Sequence, residues 1–426
     1  MSFNKNEAIF KFLTQLGFKT LFIYFILFIT TDLLTRVISL LKINFIFFDS
    51  IVSWIGLHVL NIKYAFVFES KDLGDTTFNF VFLFCILIIS VLGGFVWAIF
   101  YKSKNNQKTL YYFLTVVLRY YLVFILLNYG LVKLFYLQFP EPSLHRLVQT
   151  YGNSSPMGLA WTFLGFSKGY NIFMGLSELM CLFLLFRRTQ TFGLIITLAV
   201  TLNVFLINIF YDIPLKIITA HLVICTLFLL FHDLKKLYAF FFKNDKTSLS
   251  LIDSPRFLKF GKVKSMIYTF KVMFVISILI LAFFKLKNRQ EVLHGTFKKS
   301  QFYGIYDVMS YKVNGKFISL ESKLENRWKY LIMQYKGQCE FIDSKDESSF
   351  FNVSLDSINS SIQFFRIDNS SNFTEFKYKK LDKKNLVFNG LIQGDSVEII
   401  FRVLKEPDFL LLNRGFNLIN EKPFNR

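Results

Sequence analysis

Up to about residue 288 the chain alternates long apolar runs with short polar interruptions. Phe22 to Leu41, Phe78 to Phe100 and Met266 to Phe284 are the clearest runs, each with few charges. About 20 residues rising 1.5 Å each cross the hydrocarbon core of a bilayer, so runs of this length predict membrane-spanning helices. The pattern predicts seven spans, at 18–41, 78–101, 110–132, 169–186, 190–211, 214–232 and 266–286. Phe47 to Leu60 is amphipathic and reads as a helix in the membrane interface. Met157 to Leu164 reads as a short helix in the third loop, Lys133 to Lys168, which carries Pro140, Pro142 and Pro156.

From Gly304 the texture changes to short segments in which apolar and polar residues alternate. Ile305 to Val313, Tyr330 to Gln334, Ser361 to Arg366, Phe373 to Tyr378 and Ser396 to Val403 read as strands. Asn314-Gly315, Asp368-Asn369, Asn389-Gly390 and Gln393-Gly394-Asp395 read as the turns between them. Phe409 to Leu412 reads as a further strand, followed by a tail that either latches onto the membrane domain through Arg414, Phe416 and Phe424 or closes the bottom of the barrel. The expected organisation is a helical membrane domain over 1–288 and an antiparallel β-barrel domain over 289–426.

Composition agrees with a membrane chain and changes the reading of its charge. Of 426 residues, 53% are hydrophobic and only 18% charged, yet the formal net charge is +20. In a soluble protein that excess would point to nucleic acid. Here the residues from Arg289 onward hold 21 basic and 17 acidic side chains. The remaining surplus of +16 lies in the membrane part, where it marks one set of loops, so a nucleic-acid partner is excluded. Lys5, Lys11, Lys19, Lys102, Lys104, Lys108, Arg187, Arg188 and the basic stretch from Lys235 to Lys264 fall on one side. Asp49, Glu69, Asp72, Asp75, Glu141 and Asp212 fall on the other. The positive-inside rule then places the N-terminus in the cytoplasm and the tail domain outside it, with the first apolar run kept as a helix rather than cleaved.

Ionisable and amide groups inside a span are expensive unless paired or facing a cavity, which makes them candidates for function. Arg119 and Lys133 lie in the third span, Glu178 in the fourth, Asn203, Asn208 and Asp212 along the fifth, and Lys216 and His221 in the sixth. Asp75 and Gln138 are the outer-loop candidates. Arg119 and Glu178 read as partners, either as a buried pair that fixes helix register or as part of a polar cradle for a quinone ring, with His221, Asn203 and Tyr120 beside it. Asp32 and Arg36, four apart, read as a local salt bridge. Haem is disfavoured because His221 and His232 share one helix about 16 Å apart. Cys85, Cys181, Cys225 and Cys339 form no Cys-x-x-Cys, so the ligands of a structural zinc are lacking and no metal site is expected.

Arg119 followed by Gly130-Leu131-Val132-Lys133, and then Gly175-Leu176-Ser177-Glu178 entering an apolar run that ends at Arg187 and Arg188, resembles the DoxX family. The resemblance covers about residues 110–232 and implies a four-helix membrane core. Gly74-Asp75-Thr76-Thr77, Gln138-Phe139-Pro140, Ser154-Ser155-Pro156-Met157-Gly158, Tyr211-Asp212-Ile213-Pro214-Leu215-Lys216 and the ending from Asn413 to Arg426 are similar to longer DoxX-related bacterial proteins. Gly304-Ile305-Tyr306-Asp307-Val308 with Val313-Asn314-Gly315 is similar to the opening of small lipocalin-like barrels. These likenesses imply a bacterial cytoplasmic membrane protein with a periplasmic tail. Some DoxX relatives are linked to thiosulfate:quinone oxidoreduction or to redox complexes. Two functions of different class follow: a quinone-associated redox or accessory subunit, and a non-enzymatic envelope protein whose barrel binds a lipid or a protein partner.

Overall fold

The structure, a computed structural model, describes residues 5–41, 46–62, 74–100, 107–248, 252–259, 261–296, 298–319, 327–367, 373–382, 384–415, 417 and 419. Lys42, Glu69, Asp72, Lys102, Lys104, the Asp368-Asn369 turn, Phe416 and Phe424 lie outside the described residues. The chain packs as two units. One comprises Met1–Phe139, Pro156–Ala160 and Ser167–Phe283; the other comprises Pro140–Ser155, Trp161–Phe166 and Phe284–Arg426.

The helices run in chain order as α1 (Lys5–Leu41), α2 (Ile46–Trp54), α3 (Thr77–Phe100), α4 (Gln107–Leu134), α5 (Leu144–Val148), α6 (Pro156–Phe166), α7 (Lys168–Leu179), α8 (Gln190–Phe210), α9 (Lys216–Leu230), α10 (Leu234–Phe242) and α11 (Gly261–Thr296). A π-helical segment, Ile55–Val59, prolongs α2, and a 3₁₀ segment, Met180–Leu185, prolongs α7. Six of these helices are long and apolar enough to cross a membrane, and a seventh crossing results if α9 and α10 count as one. The predicted sixth span, 214–232, differs from a straight crossing because the chain bends by 76° after α9. Fifteen residues of α9 reach only about 22 Å. This is a multi-pass membrane protein.

In the helical unit α4 is the central element. Its buried positions run right round the helix, among them Leu114, Leu118, Leu122, Val123, Ile125 and Leu127. A helix apolar on every side is enclosed by others. Phe25 from α1, Leu184 from the 3₁₀ segment, Leu194 from α8 and Leu222 and Cys225 from α9 complete that core.

The second unit is a closed antiparallel barrel. Its strands are β1 (Lys299–Val313), the two-residue β2 (Lys316–Phe317), β3 (Trp328–Tyr335), β4 (Gln338–Asp343), β5 (Ser348–Asp356), β6 (Ser361–Arg366), β7 (Phe373–Lys380), β8 (Asn385–Ile392) and β9 (Asp395–Leu404). Leaving β2 aside, the other eight strands each pair with their chain neighbour, and β1 pairs with β9 to close the ring. The 15 residues of β1 serve both neighbours because register shifts bend it at 299–304 and again at 308–310. Asn314-Gly315 and Gln393-Gly394 hold the positive φ that tight hairpin turns need, as predicted.

Two readings of the tail are corrected. Asn389-Gly390 is not a turn; it lies inside β8, where Gly390 pairs with Phe376. A Cβ on Gly390 would stand 2.4 Å from the Glu375 carbonyl oxygen and 2.7 Å from the Phe376 ring, so the glycine makes room for that ring. Phe409 to Leu412 is not a strand either. It follows a 3₁₀ turn, Glu406–Asp408, and becomes the one-turn helix α12, Leu410–Asn413.

The barrel interior is filled by rings. Phe302, Tyr306, Phe341, Phe364, Phe376, Phe388 and Phe401 are buried there with Leu331, Met333 and Ile399, and Trp328 packs against them. Ring centroids in this cluster lie 4.0–6.3 Å apart, in tilted and edge-on contacts. Outside the barrel, α5 covers β1, β3 and β4. Leu144 packs on Ile305, Ile332 and Ile342, with Phe409 against the same group. The Leu144 backbone N–H donates to Gln334, and His145 Nδ1 lies 2.7 Å from Glu340 Oε1. The third loop therefore belongs in part to the barrel, which no local pattern announces.

Candidate functional site

The buried polar groups of the helical unit form separate clusters rather than one site. The most enclosed is an ion pair where α4 crosses α7. Lys133 Nζ donates to Glu178 Oε1 at 2.7 Å and Oε2 at 2.8 Å, with side-chain exposures of 5% and 4%. Gly130 and Gly175 set up this crossing. A Cβ on Gly130 would stand 2.9 Å from the Gly175 carbonyl oxygen, and one on Gly175 would stand 2.8 Å from that of Gly130. Two glycines let the backbones touch, the arrangement that small residues give membrane helices. Helical side chains lean toward the N-terminus, so Lys133, one turn beyond Gly130, reaches back to Glu178. The rings of Tyr129 and Phe139 flank the ammonium at 5.7 and 5.9 Å.

This corrects the expected partnership of Arg119 with Glu178. Gly130, beside Glu178, is 11 residues along α4 from Arg119, about 16 Å of helix. No arginine side chain spans that gap. Arg119 instead donates through Nε to the Thr115 carbonyl at 3.1 Å and through Nη1 to Gln190 Oε1 at 2.9 Å. It also lies 3.5 Å from the Leu184 carbonyl oxygen.

His221 belongs to a third cluster. Its Nδ1 lies 2.6 Å from the Ile217 carbonyl, which can only accept, so Nδ1 carries the proton. Its Nε2 then accepts from the Tyr24 hydroxyl at 2.7 Å, and Phe28 stacks on the imidazole at 3.8 Å. Both nitrogens are engaged and one face is covered. Asp32 and Arg36 form the predicted local pair, at 2.9 and 3.2 Å, with the Tyr121 hydroxyl donating to Asp32.

The remaining candidates lie at the loop ends of the bundle or on its outside. Asn208 donates to the Leu215 carbonyl and to Thr219 Oγ1, tying α8 to the start of α9. Asp212 and Lys216 pair at 2.8 Å near the surface. Asn203 is exposed on the outside of α8 and joins neither Glu178 nor His221. Gln138 precedes Phe139 in chain, and its buried Oε1 accepts no hydrogen bond among the described residues.

Asp75 has a clear structural task. Both carboxylate oxygens accept backbone N–H groups at the start of α9, from Lys216 at 2.6 Å and Ile217 at 2.9 Å. A helix begins with unpaired N–H groups and a positive dipole end, which a carboxylate satisfies together. Thr76 Oγ1 accepts from Asn79 N and caps α3 in the same way. Gly74-Asp75-Thr76-Thr77 thus starts one helix and caps another. Asp75→Ala should destabilise the protein by about 0.5–2 kcal/mol. Hydrogen exchange should rise at the first amides of α9 and stay unchanged at the centre of α4; even protection at both would contradict this role.

Among the described residues no three His, Cys, Asp or Glu side chains gather to hold a metal ion. Cys339 is buried in the barrel, where desolvation pushes its thiol well above the ordinary value.

No family model matches the chain, and no solved structure matches it. The chain is similar to a protein of Bacillus subtilis (strain 168) described as the uncharacterized protein YwoB, with 30% identity over 141 residues. That similarity takes in 33% of this chain and 90% of the Bacillus protein. At that identity, over nearly the whole of the relative, the chain belongs to the YwoB family through about a third of its length.

Proposed function

We propose that this is a non-enzymatic protein of a bacterial cytoplasmic membrane, whose helical unit anchors an extracytoplasmic barrel that docks a protein partner. The observation that carries this reading is the barrel interior, filled by aromatic side chains where a lipid-binding barrel would keep a cavity. Recognition then falls to the outer surface. There Phe350, Ile367 and Phe373 are 61%, 62% and 53% exposed. Phe350 and Ile367 flank the Phe351–Arg366 pairing of β5 with β6, and Phe365 packs on Phe373 with centroids 5.7 Å apart. Exposed aromatic groups of this kind mark protein contacts. The loop charges support a cytoplasmic N-terminus and an extracytoplasmic barrel.

The DoxX resemblance supports a second reading, a quinone-associated redox or accessory subunit in which the Gly130–Gly175 crossing with Lys133 and Glu178 holds the ring. The separation of Arg119, Glu178 and His221 into three clusters weighs against it. Mild detergent extraction followed by mass spectrometry discriminates the two. A photo-crosslinker at Phe350 should capture one protein from the extracytoplasmic side, and Phe373→Ser should abolish the adduct. Co-purified quinone with no such adduct would favour the redox reading, and protection of the barrel from protease in spheroplasts would overturn the orientation.

A further inference from the structure

Three cations meet where α4, the end of the 3₁₀ segment and α11 come together. Arg119 is only 6% exposed and donates to Gln190 and to the carbonyls of Thr115 and Leu184. Lys271 Nζ donates to the adjacent Leu185 carbonyl at 2.9 Å. Arg187 follows two residues later, donating to the Ile252 carbonyl, with its guanidinium 5.8 Å from the Tyr112 ring. The three lie within electrostatic range of one another. Every partner they have is neutral, and no carboxylate pairs with any of them among the described residues. Of the other strongly buried cations of this unit, Lys133 has Glu178, and Lys19 donates to the Trp97 carbonyl.

Three like charges at the edge of an apolar bundle repel one another and are poorly solvated. Helix-end carbonyls relieve this only in part, since they carry partial charge. We propose that this cluster is a binding site for a phosphate group, the headgroup of an anionic phospholipid or a free phosphate ion. Arginine meets phosphate through paired N–H donors, and lysine adds a point charge. The position suits the lipid source: the cluster lies in the half of the bundle where α4 starts, on the side of the basic loops.

The test uses the full-length protein in nanodiscs of phosphatidylcholine alone and of one part phosphatidylglycerol to four parts phosphatidylcholine. Native mass spectrometry should find phosphatidylglycerol retained by the wild type in preference to phosphatidylcholine. Arg187→Gln combined with Lys271→Gln, which leaves Arg119 in place, should weaken that retention roughly thirtyfold, while exposed Arg188→Gln should leave it unchanged. Titrating inorganic phosphate against thermal stability in phosphatidylcholine discs separates the sources. Stabilisation of the wild type and not of the double variant assigns the site to the free ion; no shift, with phosphatidylglycerol retained, assigns it to the lipid. Equal retention by wild type and double variant, or no preference and no phosphate shift, would overturn the proposal.

Discussion

Glu178→Ala should destabilise the helical unit by about 3–5 kcal/mol, because it leaves the Lys133 ammonium buried without its counter-charge. The two side chains share two short hydrogen bonds and are almost fully enclosed, so no water replaces the lost carboxylate. Lys133→Met should cost a similar amount by stranding Glu178. Replacing both, Lys133→Met with Glu178→Met, should cost much less than the sum, because the desolvation penalty disappears with both charges. Unfolding of the purified protein in detergent, followed by circular dichroism, measures all three. Additive losses would show that the groups do not act as a pair. The cycle also bears on function: a pair whose removal leaves the protein stable and its partner adducts intact is a register device rather than a binding group.

Phe376→Ala should have an effect of the same size on the barrel, about 3–5 kcal/mol. Phe376 is fully buried and touches Trp328, Phe364 and Phe388, with centroids 5.4, 6.0 and 5.8 Å away. Gly390 opposite it cannot fill the space that the ring leaves. Phe350→Ala, on the outer surface, should change stability by less than about 0.5 kcal/mol. Hydrogen exchange in peptides of β6, β7 and β8 reports the difference. Matching protection in the two variants would mean that the interior is not packed as described, and would reopen a cavity for a ligand.

Local patterns carried the architecture. Hydropathy is a property of consecutive residues, so the long helices were legible in composition alone, as were the strands in which side chains alternate, such as Ser361 to Arg366. Strands β2, β4, β5 and β8 are not among those the sequence predicts, and in β8 the Asn389-Gly390 pair imitates a hairpin turn although the glycine is there to seat a ring from the neighbouring strand.

Partnership between side chains was not legible, because depth along crossing helices is set by where their backbones touch. The sequence by itself determined that Arg119, Lys133 and Glu178 sit in membrane helices, and that each needed relief from the apolar surroundings. Only the tertiary structure decided which cation met the carboxylate. The Gly130–Gly175 contact puts α4 and α7 in the register that brings Lys133 to Glu178 and leaves Arg119 one end of the helix away, among Gln190, Arg187 and Lys271. The third loop teaches the same lesson: its prolines and short apolar stretch specify a broken helical segment, but that Leu144 covers Ile305, Ile332 and Ile342 depends on strands more than 150 residues further on. Local physics fixes which groups must be buried or paired; long-range packing chooses the partner, since burial free energy is nearly indifferent to which apolar or charged neighbour supplies it.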